Sequence, residues 1–231
     1  MWRKLPITSI TPFTFQDFPE RTACILWFSG CNMACGYCHN PELVKGTLAR
    51  LPEDRITGFL DSRAGLLEGV VLSGGECTLS SALPDLCRYL KDKGFLVKID
   101  TNGTRPDMIA RLLDQALVDF IALDFKAPEA RYTAITHHTD FAAFECSLRL
   151  VASAQIGHEI RTTVHGDLLT ADDLNAMTER LEGLDYTGPY VVQNFRHVPT
   201  LGELGVPQRP FDPKAVLRRR FPIRWRNFST L

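Results

Sequence analysis

The chain reads as one parallel α/β domain, and three observations predict it. Short apolar runs alternate with amphipathic stretches through six successive β–α units. The runs are nearly continuous rather than alternating, the pattern of strands buried on both faces. Polar residues recur where those runs end, and no long linker or low-complexity segment interrupts the series. In a curved parallel sheet such strand ends converge on one mouth, where α/β proteins place their chemistry.

The elements follow in order. Residues 22–29 form a strand closed by Gly30, and residues 52–67 predict a helix with Ile56, Phe59 and Leu60 at helical spacing. A strand over 69–73 ends in Gly74-Gly75-Glu76. A helix over 81–93 puts Leu83, Leu86, Cys87 and Leu90 on one face. The strand 96–100 ends in Thr101-Asn102-Gly103, and Pro106 suits the first turn of the helix carrying Ile109, Leu112 and Leu113. The strand 120–124 runs into Phe125-Lys126, and a helix over 139–154 turns Phe141, Phe144, Leu148 and Val151 inward. After a strand over 158–165, the Thr170/Asp173 spacing reads as a capping box opening the next helix. A strand over 190–195, a Pro/Gly-rich connection, a last helix from Asp212-Pro213 to about residue 220, and an edge strand over 222–228 complete the chain. This divides the single domain, 1–231, into an N-terminal extension (1–21), a core (22–198) and a C-terminal helix and edge strand (199–231).

A length of 231 residues leaves ample capacity for a core. Apolar residues at 45% and charged ones at 23% are ordinary for a soluble globular protein. The formal net charge of −1 gives no global electrostatic case for nucleic acid or a membrane surface. No run approaches the length of a membrane span, and the N-terminus lacks an apolar signal core, so a cytoplasmic protein is expected.

The chemistry concentrates in Cys31-Asn-Met-Ala-Cys35-Gly-Tyr-Cys38, immediately after the first predicted strand. Three thiols at C-x3-C-x2-C suit three irons of a [4Fe–4S] cluster and leave the fourth open to a small molecule. A Cys3His zinc knot with His39 is the competing reading. Structural zinc generally takes four ligands in separated pairs, whereas residues 38 and 39 are adjacent and no second cysteine pair follows. Disulfides fit poorly with seven cysteines, three of them in one eight-residue loop. Cys24 and Cys87 fall on apolar faces and read as core thiols. Neither Cys146 nor the others show ligand spacing, and His137-His138 reads as a solvated loop. Arg218, Arg219, Arg220, Arg224 and Arg226 form the one basic concentration, either a solvated helix face or a dock for an acidic partner surface.

The cysteine loop, with Tyr37 before its last cysteine, resembles the signature of the radical S-adenosylmethionine (SAM) superfamily, and Gly74-Gly75-Glu76 resembles that superfamily's GGE motif. The resemblance covers nearly the whole chain and implies a partial (β/α)6 barrel. Asp17-Phe-Pro, Cys38-His-Asn-Pro-Glu42, Asp100-Thr-Asn-Gly103 and Leu123-Asp-Phe-Lys126 look like glycyl-radical-enzyme activases, and most like those of anaerobic ribonucleotide reductase. Other activases often carry an inserted eight-cysteine ferredoxin domain; here 30 residues without a cysteine separate Cys38 from Gly69.

The resemblance implies roles residue by residue. Cys31, Cys35 and Cys38 ligate a [4Fe–4S] cluster, and SAM takes the fourth iron. Gly74 and Gly75 let backbone come close to a ligand, and Glu76 accepts from the SAM ammonium. Tyr37, Thr101, Asn102 and Lys126 belong to the SAM site. Asp100, Thr101 and Asp124 help bind a monovalent cation, the alternative for each acid being helix capping or an Asp–Lys pair. Arg161 faces SAM or the target loop, or else makes a structural ion pair; Asn194 bounds the adenosine pocket. Cys77, where many members carry proline, reads as a packing variant rather than a fourth ligand. The implied activity is reductive cleavage of SAM and abstraction of hydrogen from a glycine of a partner. The partner is a glycyl radical enzyme, best matched by anaerobic ribonucleotide reductase, with flavodoxin or ferredoxin as electron donor. Another glycyl radical enzyme's activase, a peptide-modifying radical SAM enzyme, and a non-catalytic iron–sulfur electron carrier are the alternatives.

Overall fold

The computed structural model describes residues 4–228. The first three residues of the expected N-terminal extension and the last three of the C-terminal segment lie outside it. Among the described residues, eight strands and seven α-helices form an α/β fold whose sheet takes its strands in chain order, the first and the last at its edges. No helix among the described residues is long and apolar enough to cross a membrane. The chain divides into two compact units. One holds residues up to Asn32, Glu42–Thr101 and Arg105–Ile121; the other holds Met33–Pro41, Asn102–Thr104 and the chain from Ala122 onward.

In the first unit, β1 (Ile7–Thr14) pairs antiparallel with β2 (Ala23–Phe28). β2 pairs parallel with β3 (Gly69–Gly74), and β3 with β4 (Leu96–Thr101). β1 lies inside the expected extension and departs from the all-parallel pattern. Pro12 within it hides the strand in sequence, and an edge strand tolerates a residue that cannot donate to the ladder. One sheet face packs Phe18, Ala23, Ile25 and Val71 with Trp27, Leu96 and Phe120. Gly69 leaves the room this needs, since a Cβ there would meet the Phe18 ring at 2.8 Å.

Short helix α1 (Pro41–Lys45) follows the cysteine loop, and α2 (Glu53–Arg63) comes next. The expected helix 52–67 stops four residues early because Ala64 turns extended and Gly65 takes φ +77°. α3 (Leu83–Asp92) buries Leu83, Leu86, Cys87 and Leu90, and α4 (Pro106–Asp114) starts on its proline.

β5 (Phe120–Asp124) has its predicted bounds and leads into the second unit. There α5 (Glu129–Thr136), too short to show a helical stripe, brings Tyr132 against Phe141 and Phe144 of α6 (Phe141–Ala152). β6 (Gly157–Val164), β7 (Tyr190–Asn194) and β8 (Ile223–Arg226) run parallel. α7 (Ala171–Glu182) carries the predicted capping box, Thr170 and Asp173 satisfying each other's backbone.

The expected helix over 212–220 does not form; only a single 3-10 turn spans Pro213–Ala215. The side chains of α7 take over its backbone instead. Leu217 N–H donates to Asn175 Oδ1 (2.8 Å) and Arg220 N–H to Glu182 Oε1 (3.1 Å), while Arg219 pairs with Glu182 at 2.9 Å. Arg219 and Arg226, which pairs with Glu159, are thus structural rather than part of a solvated helix face.

Candidate functional site

The cysteine loop leaves β2 through Gly30, whose φ of +92° only glycine adopts readily. In the first unit this turn is gripped by the segment after β3. Gly75 N–H donates to Phe28 O and Glu76 N–H to Gly30 O, both at 2.8 Å. A Cβ on Gly75 would lie 2.0 Å from Gly30 O, and one on Gly74 would lie 2.3 Å from Phe28 O. The backbone that these glycines admit is therefore that of the cysteine loop's own entry, where Cys31 begins.

Glu76, 2% exposed, is oriented by hydroxyls and an amide. Thr78 donates to its Oε1 from N–H (3.0 Å) and Oγ1 (2.5 Å), and Thr101 Oγ1 donates at 2.9 Å. Asp100, the next-to-last residue of β4, lies beside buried Lys98: the ammonium contacts Oδ1, and Ser73 Oγ donates to Oδ2 at 3.0 Å. Cys77 is fully buried with its thiol 3.6 Å from Asp100 O, and burial pushes it well up, as suits a packing thiol. Cys24 and Cys87 are likewise buried, Cys146 is exposed, and none of the seven cysteines is in a disulfide.

In the second unit the loop's later part turns tightly, Cys38 N–H donating to Cys35 O at 3.0 Å. It is held by main chain: Ala34 N–H to Thr136 O (3.0 Å), Leu201 N–H to Cys38 O (3.0 Å) and Gly202 N–H to Gly36 O (2.8 Å). Burial pushes the Cys35 thiol up, and nearby Lys126 is the largest opposing influence. Tyr37 is buried among Cys35, Lys126 and Asp124, with the Lys126 ammonium 6.0 Å from its ring centre.

Asp124 ends β5 between two cations. Lys126 Nζ lies 3.0 Å from Oδ2, and Arg161 Nε, from β6, lies 2.9 Å from Oδ1. Burial alone would raise this carboxyl, but Arg161 and Lys126 outweigh it and hold it at about 2. The alternative expected for both acids, an Asp–Lys pair, is thus realised at each. Asn102 instead organises its own turn, accepting from Thr104 N–H and Oγ1, and Asn194 closes β7 opposite Val164. His137 takes the left-handed C-cap of α5, and His138 sits in the turn beyond it.

Two contributors escaped the sequence reading. Lys98 had a signal, a lone lysine inside an apolar run two residues before an acid and so on its face. The grip of residues 201 and 202 on the loop had none.

Whether these residues fit an iron–sulfur cluster and a polar small molecule is tested by what they leave unmet. Thiolates at C-x3-C-x2-C are the soft donors iron takes. The Tyr37 hydroxyl, in the wall of the same loop, is buried without a hydrogen-bond partner among the described residues, a gap that a polar ligand group would fill. Both fit.

A cysteine loop after the first parallel strand, with an acid-tipped glycine turn after the next, sets the class: an α/β protein whose thiols suit a redox cluster. Residues 25–181 match the Radical SAM superfamily, and the chain belongs to it. A glycyl-radical enzyme activating enzyme of Methanocaldococcus jannaschii is 35% identical over 130 residues, 56% of this chain and 53% of that protein. The pyruvate formate-lyase-activating enzyme of Streptococcus mutans is 29% identical over 237 residues, 90% of this chain and 83% of that one. The fold is shared with anSMEcpe with bound AdoMet, at TM-score 0.58 and 17% identity, over 73% of this chain and 49% of that chain. The chain spans about half the length of the first curated relatives it matches.

Proposed function

We propose that the chain is a radical SAM activase that makes a glycyl radical in a partner enzyme. The observation that carries this reading is the cysteine loop locked through Gly30 to the Gly74-Gly75-Glu76 turn. The activating-enzyme relatives support the choice of reaction. Cys31, Cys35 and Cys38 would hold a [4Fe–4S] cluster, which when bound supplies one electron to the sulfonium of SAM and so starts hydrogen abstraction from glycine.

The chain's own residues do the rest. Glu76, oriented by Thr78 and Thr101, accepts from the SAM ammonium. Lys126, steadied by Asp124, presents a cation to the substrate, and Tyr37 offers its unmatched hydroxyl. Arg161 positions Asp124. Glycine suits the reaction because its backbone radical is stabilised by flanking amides and no side chain obstructs it. The cysteine-free stretch between Cys38 and Gly69 favours anaerobic ribonucleotide reductase over other partners, with flavodoxin or ferredoxin as donor. This chemistry favours the cytoplasm, where thiols stay reduced.

The test is anaerobic. The reconstituted protein, reductant, SAM and the reductase should give a glycyl EPR doublet that is lost in Cys35→Ala. Cleavage of SAM to 5′-deoxyadenosine without a doublet would overturn the partner. Neither signal from a fully loaded cluster would overturn the activase and favour an electron carrier.

A further inference from the structure

Lys98 is a charged side chain that the proposed reaction leaves unused. Its side chain is 1% exposed, among the largest fully buried in the protein. It sits mid-strand in β4 opposite Val71 of β3, on the face shared by Leu96 and Asp100. The stem therefore crosses the apolar layer that includes Val71, Leu96 and Phe120, and its ammonium lies 5.8 Å from the Phe120 ring centre. It emerges at the strand's C-terminal end on Asp100. Lysine is almost never fully buried unless paired. A buried ion pair is also a weak source of stability, since apolar residues of similar volume usually serve as well. Stability alone is thus a poor reason to keep this lysine here.

The resemblance implies that Asp100 and Asp124 help bind a monovalent cation, and the contacts of both acids disagree with it. Asp100 Oδ1 is taken by the Lys98 ammonium and Oδ2 by the Ser73 hydroxyl. Asp124 Oδ1 is taken by Arg161 and Oδ2 by Lys126. A metal ion binding Asp100 would displace a buried ammonium or sit beside it, and like charges in a low-dielectric site repel strongly.

We propose that Lys98 is the site's resident cation, its ammonium standing at Asp100 where the resemblance puts a monovalent metal ion. The protein then binds SAM without sodium or potassium. This rests on the reading of the strand ends as a SAM site.

The test measures SAM affinity of the cluster-reconstituted full chain in choline, sodium and potassium chloride at equal ionic strength. The wild-type Kd is expected to vary less than twofold. Lys98→Met, which leaves Asp100 without its cation, is expected to bind at least tenfold more weakly in choline and to recover in sodium or potassium. A lysine serving structure alone would not create that dependence. Tenfold weakening of the wild type in choline would overturn the proposal, as would a Lys98→Met affinity independent of the salt. Thallium-205 NMR of the wild type needs no variant: the expected result is no bound thallium, and a saturable bound signal overturns the proposal. If SAM binds in no salt, the activase reading falls, and the thallium spectrum still decides the cation.

Discussion

Gly75→Ala puts the grip on the cysteine loop to a quantitative test. An alanine Cβ would lie 2.0 Å from Gly30 O and 2.6 Å from Gly30 C, both backbone atoms that cannot rotate away. The two segments must part. Overpacking of this kind costs about 1–3 kcal/mol. Parting them also strains the hydrogen bonds from Gly75 to Phe28 and from Glu76 to Gly30, each contributing about 1 kcal/mol. The expected loss is about 3–5 kcal/mol, a large part of the roughly 5–15 kcal/mol typical of a folded domain. Anaerobic guanidinium unfolding of the reduced apoprotein measures it, and iron content after reconstitution should fall in parallel because Cys31 follows Gly30. Gly58→Ala is the control: it lies inside α2 with open space around its Cβ position, so replacement should be neutral or stabilising by up to about 1 kcal/mol. Equal midpoints for the two variants and the wild type would refute the account of Gly75.

Asp124 has a folded-state pKa held from 3.8 down to about 2, so its stabilisation is fully present above about pH 4 and disappears as pH falls toward 2. At ~1.4 kcal/mol per unit this is about 2 kcal/mol; the wild type should lose that much more than Asp124→Asn between pH 5 and 2, and parallel curves would refute it. Thr170→Ala removes the hydroxyl half of the α7 capping box, leaving the Thr170 N–H bond to Asp173 in place, and should cost about 1 kcal/mol in thermal or chemical unfolding. Gly202→Ala places a Cβ 2.8 Å from Gly36 Cα and should lower iron incorporation while leaving far-UV circular dichroism unchanged; full iron loading would show that this contact does not position the thiols.

Where local chemistry decides the structure, the sequence was sufficient. The bounds of β5 follow from an apolar run ending in an acid, and Thr170 with Asp173 specify a helix start regardless of surroundings. Where tertiary contacts decide, it was not. Val216 and Leu217 beside an arginine run mimic an amphipathic helix, yet Asn175 and Glu182 capture that backbone first. β1 was masked by Pro12, whose missing donor matters little at an edge. The site divides the same way. The cysteines, Glu76, Asp100, Asp124 and Lys126 stand out by type and position, whereas the pairing of Arg161 with Asp124 and of Lys98 with Asp100 is known only from the folded chain, because the first joins separate strands and the second uses a lysine that reads as a misplaced core residue.

The cysteine loop is anchored through main chain at both ends. In the first unit the anchors are the amides of Gly75 and Glu76; in the second they are those of Ala34, Leu201 and Gly202. A loop whose thiols must bind iron cannot depend on those thiols to hold its shape before iron arrives, and backbone amides are the donors every residue supplies. Close backbone approach then requires glycine where these anchoring segments meet the loop, which accounts for Gly75 against Gly30 and Gly202 against Gly36. The glycines of the Gly-Gly-Glu turn thus act on the ligand indirectly, by setting where Cys31 starts, while Glu76 remains the turn's direct contact in the proposed reaction. It follows that substitutions at Gly75 should disturb iron loading and SAM binding together, whereas substitutions at Glu76 should disturb SAM binding alone.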